Sequence, residues 1–178
     1  MKVKDTARLS FTLMTEDDAE LLYQLDQDPE VMRYLNGGKQ TSLAEIVNTY
    51  IPRLKKFTNP TLGWGLWKVT VKANQDYIGW ILIRPMEFFS QTPEFDNLEI
   101  GWRFMQKSWG KGYASEAALA VQNEVIKHGT VNKISATAVK ENAGSIAVME
   151  KIGLRYVKSY LHKDPMGDMQ AVYYQKSL

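Results

Sequence analysis

The chain of 178 residues contains no cysteine. That absence excludes disulfides, thiolate-ligated metal sites and a covalent acyl-cysteine intermediate. Histidine is nearly absent too: His128 closes a predicted helix, where the dipole favours an imidazolium, and His162 falls in a late loop. Both read as structural. No window approaches the ~20 consecutive apolar residues of a membrane span, and Met1 to Arg8 is charged rather than an apolar signal region, which predicts a cytoplasmic protein without a membrane partner. Charge of one sign is also lacking, with 22 basic against 20 acidic residues and no long block of either. A nucleic-acid surface is therefore not expected. There is no internal repeat and no low-complexity tract, and 178 residues with 44% hydrophobic content suit one domain over 1–178.

Leu98 to His128 reads as a strand, a turn punctuated by Gly110 and Gly112, and a long helix in immediate succession. Such an order builds an anion site. The first helical turn leaves amide N–H groups without intrahelical partners at the positive end of the dipole, and glycines let a ligand oxygen approach the backbone closely. Lys107 and Lys111 add local positive charge. Two nucleotide motifs are absent. A Walker loop would need glycine where Met105 stands, and the dinucleotide fingerprint would need a third glycine where Ser115 stands.

Elsewhere, residues 8–13 alternate as a strand, and Thr15 with Asp18 forms a capped start for a helix to about Gln27. Asp28-Pro29 punctuates the chain, and 28–40 reads as a loop. A helix is predicted from Ser42 to Phe57, interrupted or kinked at Pro52. Residues 65–72 and 77–84 form a hairpin around Ala73 to Asp76, ended by Pro85, and 86–97 is a polar loop. The helix 113–128 has Ala114, Ala117, Ala118, Val121 and Val125 on one face and carries a right-handed crossover from strand 98–105 to a parallel strand 133–139. A short helix from Ser145 to Ile152 stops at Gly153. Residues 154–161 and 170–176 pair antiparallel around the loop 164–168. The fold class is α+β, with a mixed, mainly antiparallel central sheet flanked by helices.

The turn Lys107-Ser108-Trp109-Gly110-Lys111-Gly112 resembles motif A of the GNAT superfamily of acyl-CoA-dependent N-acetyltransferases, [QR]-x-x-G-x-[GA], with Lys107 at the Gln or Arg position. Arg8-Leu9, Asp28-Pro29-Glu30-Val31, Glu99-Ile100-Gly101-Trp102, Tyr113-Ala114, and Glu141-Asn142 with Ser145, Glu150-Lys151 and Gly153 extend the likeness to the RimJ/RimL-like branch. The resemblance implies that strands 98–105 and 133–139 splay apart and that acetyl-CoA lies between them. Main-chain groups of Trp102, Arg103, Phe104 and Met105 would hold its pantetheine arm. The turn Lys107, Ser108, Trp109, Gly110, Lys111, Gly112, Tyr113 and Ala114 would hold its pyrophosphate, and Asn142 and Ser145 its thiol end. No metal is implied.

Acetyl transfer to an amine requires a neutral nucleophile, a stabilised oxyanion and a protonated leaving thiolate. Glu99, on the strand bordering the acyl site, is the leading base candidate, since a carboxylate among apolar neighbours can work near neutral pH. Glu87, Glu94, Asp96, Asp168 or a water chain are alternatives. In the family a tyrosine often protonates the thiolate, but the matching position here is Met149, which has no proton to give. Ser145, one turn earlier on the same helical face, is the expected acid. The implied function is direct acetyl transfer in a ternary complex to a primary amine, either a protein N-terminal α-amine or a small molecule. A non-catalytic acyl-CoA sensor is the alternative reading, and a homodimer is consistent with the resemblance.

Overall fold

A computed structural model describes residues 1–129, 131–162 and 168–178. The predicted loop positions Asp164, Pro165, Met166 and Gly167 lie outside these, as does the His162 side chain. Strands β1 (Leu9–Leu13), β2 (Gly65–Val71), β3 (Tyr77–Met86), β4 (Glu94–Phe104), β5 (Lys133–Val139), β6 (Arg155–His162) and β7 (Met169–Ser177) form one sheet. Its order is β1-β2-β3-β4-β5-β7-β6. The β4/β5 pair is parallel and the rest are antiparallel, as the fold class requires.

Between β4 and β5 the chain forms helix α5 (Tyr113–His128), whose small face packs on the sheet. Ala117, Ala118, Val121 and Val125 are buried against a core that includes Ile81, Ile83, Ile100 and Phe104. Alanines at the contact allow the helix to sit close. The opposite face of the sheet is covered by α1 (Ala19–Leu25), α2 (Pro29–Asn36), α3 (Leu43–Glu45), a π-helical turn at Ile46–Tyr50 and α4 (Ile51–Phe57). Leu22, Ile46, Leu54, Phe57 and Leu66 form the second core there. Helix α6 (Ala143–Lys151) lies beyond β5.

Three sequence expectations change and one takes a definite form. Residues 28–40 are not a loop. Asp28 accepts the Glu30 N–H at 2.9 Å as an N-cap, Pro29 takes the first turn where its missing N–H costs nothing, and Gly37 ends α2 in the left-handed conformation. At Pro52 the expected interruption takes a specific form, a turn widened to π register just before the proline, with Ile51 N–H bonded to Ile46 O. The strand does not end before Pro85 either, because Pro85 sits at a register shift opposite Leu98, and β3 continues to Met86. β4 accordingly starts at Glu94, which shortens the predicted 86–97 loop.

The parallel pairing is brief. It covers Asn97 to Glu99 against Lys133 to Ser135 and then stops, so the two strands splay as the resemblance implies. A buried polar cluster pins the closed end. Ser135 Oγ donates to Asn97 Oδ1 at 2.7 Å, Tyr173 OH donates to Ser135 Oγ at 2.7 Å, and Asn97 Nδ2 donates to Glu94 at 2.8 Å. Asn97 and Ser135 are 1% and 0% exposed, so each depends on these partners. Asn97→Ala is expected to cost about 1–3 kcal/mol, the penalty for stranding buried polar groups, in urea unfolding. A variant as stable as wild type would show that the cluster does not hold the closed end.

Candidate active site

The splay opens into a cavity of about 670 Å³. Its walls come from β4, β5, the glycine turn, the start of α6 and the α2 helix. Antiparallel alternation determines which β4 groups face the gap. Met105 N–H donates to Ile78 O, so the main chains of Arg103 and Met105 point to β3, and those of Ile100, Trp102 and Phe104 point to the open edge. Trp102 and Phe104 thus turn main-chain groups to the gap, where the pantetheine arm is expected, although the Phe104 carbonyl is already bonded to the Trp109 indole. Arg103 and Met105 do not, and the Met105 carbonyl is also taken by Ser108 N–H and Oγ. On the other edge β3 approaches closely: a Cβ on Gly79 would lie 2.2 Å from Arg103 O.

Gly110 and Gly112 both take left-handed conformations, with φ of 73° and 77°. Their surroundings differ. Gly110 lines the cavity and has open space where a side chain would be, whereas a Cβ on Gly112 would meet Arg8 at 3.6 Å. The first bond of α5 runs from Glu116 N–H to Gly112 O, so the amides before it have no intrahelical acceptor. Arg8 organises this turn from the far end of the sequence. It donates to Lys111 O at 3.0 Å and to Glu116 at 2.7 Å, and it lies 4.5 Å over the Tyr113 ring. A trans peptide with its carbonyl held towards Arg8 aims the Gly112 N–H the opposite way.

The remaining turn residues divide between partners within the chain and the cavity wall. Lys107 pairs with Asp76 at 3.3 Å, Ser108 is buried, and the Trp109 indole donates to Phe104 O at 2.8 Å while the residue lines the cavity with Ala114. Ser145 also lines it. Asn142 Oδ1 accepts the Ser145 N–H at 3.0 Å, so Asn142 caps α6 and the Ser145 hydroxyl is not the cap. Met149 is fully buried.

Three carboxylates line the cavity: Glu30, Glu99 and Glu141. Among the loop alternatives, Glu94 is tied to Asn97 and Asp96 to the Asn132 amide, and neither they nor Glu87 and Asp168 reach the wall. Glu99 is not surrounded by apolar groups alone, since Arg84 directly opposite on β3 donates to it at 2.7 Å. Burial pushes the nearby Tyr160 phenol up; a hydrogen bond with Thr137 opposes this without cancelling it. The cavity wall is completed by Val31 and Tyr34 of α2 and by Trp80. The α2 wall escaped the sequence reading although its signals were present: an Asp-Pro start, an apolar i, i+4 pair at Val31 and Leu35, and a Gly37-Gly38 stop.

Residues 8–155 match the family described as "Acetyltransferase (GNAT) domain". This chain belongs to the GNAT acetyltransferase family. A GNAT acetyltransferase from Bacillus anthracis, known by crystal structure, is 27% identical, with a TM-score of 0.79 over 99% of this chain and 98% of that one. The FsC-acetyl coenzyme A-N(2)-transacetylase of Aspergillus fumigatus is 28% identical over 160 residues, covering 89% of this chain and 67% of that protein. RimL, a ribosomal L7/L12 α-N-protein acetyltransferase in complex with coenzyme A, has a TM-score of 0.78 over 99% of this chain and 97% of that one. At 14% identity, RimL shares the fold alone.

No helix of this GNAT chain, among the described residues, is long and apolar enough to cross a membrane, and no metal-holding cluster occurs among them. Its turn carries a pH signature. Burial alone would raise the Glu116 carboxyl, but hydrogen bonds from Thr6 and Arg8 and the Arg8 charge outweigh it and hold the group below its ordinary 4.5. A carboxyl lowered in the folded state stabilises above the unfolded pKa, and that contribution is lost as pH falls through the folded value. The stability gap between wild type and Arg8→Met should be full near pH 7 and narrow below about pH 4.5 in urea unfolding. An equal gap at both would mean that Arg8 contributes by packing alone.

Proposed function

We propose that the chain is an N-acetyltransferase that moves the acetyl group of acetyl-CoA directly to a primary amine, of a protein N-terminus or a small molecule. The supporting observation is one cavity that touches the glycine turn at Gly110 and Ala114, the open edge of β4, Glu99 and Ser145. Acetyl-CoA supplies the activated thioester. The amides from Gly110 to Ser115 receive the pyrophosphate, and the Trp102 and Phe104 edge pairs with the pantetheine amides as a neighbouring strand would.

Glu99 takes the proton of the attacking amine, directly or through water, while Arg84 holds the carboxylate towards the wall. An α-amine, with an unperturbed pKa near 8, needs much less of this help than a lysine near 10.4. Ser145 gives its proton to the departing sulfur. No cysteine can carry an acyl group, so both substrates are bound before transfer. The likeness to RimJ/RimL-like motifs supports a protein N-terminus among the acceptors.

Because Asn142 caps the helix, Ser145→Ala removes the hydroxyl without removing the cap. We expect kcat to fall by ~10²–10⁴-fold, the range of general-acid assistance, with acetyl-CoA affinity and melting temperature nearly unchanged. Thiol release across an amine panel, paired with calorimetry of acetyl-CoA, checks this. Full turnover in the variant would remove Ser145 from the chemistry, and binding without release on every amine would make the protein a sensor.

A further inference from the structure

A second cavity of about 260 Å³ adjoins the first and shares Trp80, Leu82, Arg84 and Arg103 with it. It lies between the sheet and the helices α1 and α4. Its floor is apolar, formed by Leu22, Leu54, Phe57 and Leu66. A cavity of 150 Å³ lined this way accepts benzene, so about 260 Å³ accommodates one ring or a branched alkyl body with a short arm.

The walls carry three guanidinium groups and one carboxylate. Asp26 is that carboxylate, and it is spent: it accepts from Arg103 and, at 2.9 Å, from Thr41 Oγ1. Arg84 gives its Nε to Glu99, which belongs to the first cavity. Arg53 is solvent-exposed and bonded to no protein acceptor among the described residues. Its guanidinium lies 3.9 Å over Phe89, and among the described residues no carboxylate pairs with it. Arg84 lies 5.6 Å from the faces of Phe57 and Phe89, so the same aromatic cluster orients both cations.

Donors without acceptors collect at the shared wall. Trp80 Nε1 and Arg103 Nε are buried and have no hydrogen-bond partner. The Arg103 guanidinium stands 5.2 Å over the Trp80 ring. Leaving N–H groups unpaired in a buried wall costs free energy, and no protein acceptor relieves them. A wall with surplus positive charge, spare donors and an apolar floor matches a ligand end that is anionic, planar and attached to an apolar body.

We propose that the second cavity binds the carboxylate end of the acceptor, which makes the substrate class an amine carrying a carboxylate on an apolar body. The amine end then lies in the first cavity near Glu99. Only that amine assignment rests on the proposed acetyltransferase activity. Arg53 and Arg84 receive the carboxylate, where a charge-assisted pair is roughly twice as strong as a neutral hydrogen bond. Trp80 and Arg103 come into reach of the same group by small side-chain shifts at the shared wall.

The test separates the anion site from the chemistry by using ligands that cannot be acetylated. 3-Phenylpropionate and its neutral isostere 3-phenylpropanamide are titrated into the full chain, following the indole N–H signals by NMR with Trp80→Phe as the assignment control. The acid should bind saturably, at least tenfold tighter than the amide, and move the Trp80 signal. Arg53→Met should abolish most of that preference and leave acetyl-CoA affinity as in wild type. Equal binding of acid and amide, no saturable binding of the acid, or an Arg53→Met protein with the full preference would each overturn the proposal. If the acid binds as described but acetyl-CoA does not, the anion site stands and the acetyltransferase reading fails.

Discussion

Everything at the site depends on where the main-chain pairing of β4 and β5 stops. One edge of β4 is fully bonded to β3 down to Phe104, and the other is bonded to β5 only through Glu99. Past that point a strand in the middle of a sheet presents unpaired N–H and C=O groups, the Phe104 carbonyl held by Trp109 excepted, which water or a ligand must satisfy. An extended amide-bearing arm does so in the manner of an added strand. The gap persists because its closed end is fastened by the Asn97, Ser135 and Tyr173 cluster and because α5 spans its two sides.

The two faces of β4 divide the work. Ile100 and Phe104 face the α5 core, which fixes the turn against the sheet. Glu99 and Arg103 face the helices α1 to α4 and take charged partners there, Arg84 and Asp26. Asp26 is 1% exposed, so the pair is retained only because each charge has its partner and Thr41 adds a third group. A change at Asp26, on α1's side of the sheet, therefore reaches β4 through one buried contact.

Local signals were legible and distant ones were not. The strand, glycine turn and helix over 98–128 follow from residues adjacent in sequence, as do the alanine face of α5 and the cap at Thr15. The α2 helix was lost because a proline after aspartate reads as a break as readily as a first turn. Arg8 contacts Lys111 and Glu116 across more than 100 residues, and no periodicity announces such a pair. Nor does sequence tell which edge of β4 is open. Trp102 and Arg103 are equivalent as letters, and only the register against Ile81 and Trp80 separates the residue facing the gap from the one facing β3.

Amide hydrogen exchange with and without acetyl-CoA examines the open edge itself. The account predicts new protection at the Ile100, Trp102 and Phe104 amides and through the turn from Gly110 to Ser115, with little change at Asn97 to Glu99, where β4 and β5 are already paired. Binding of acetyl-CoA that leaves the open edge and the turn exchanging as before would contradict the account.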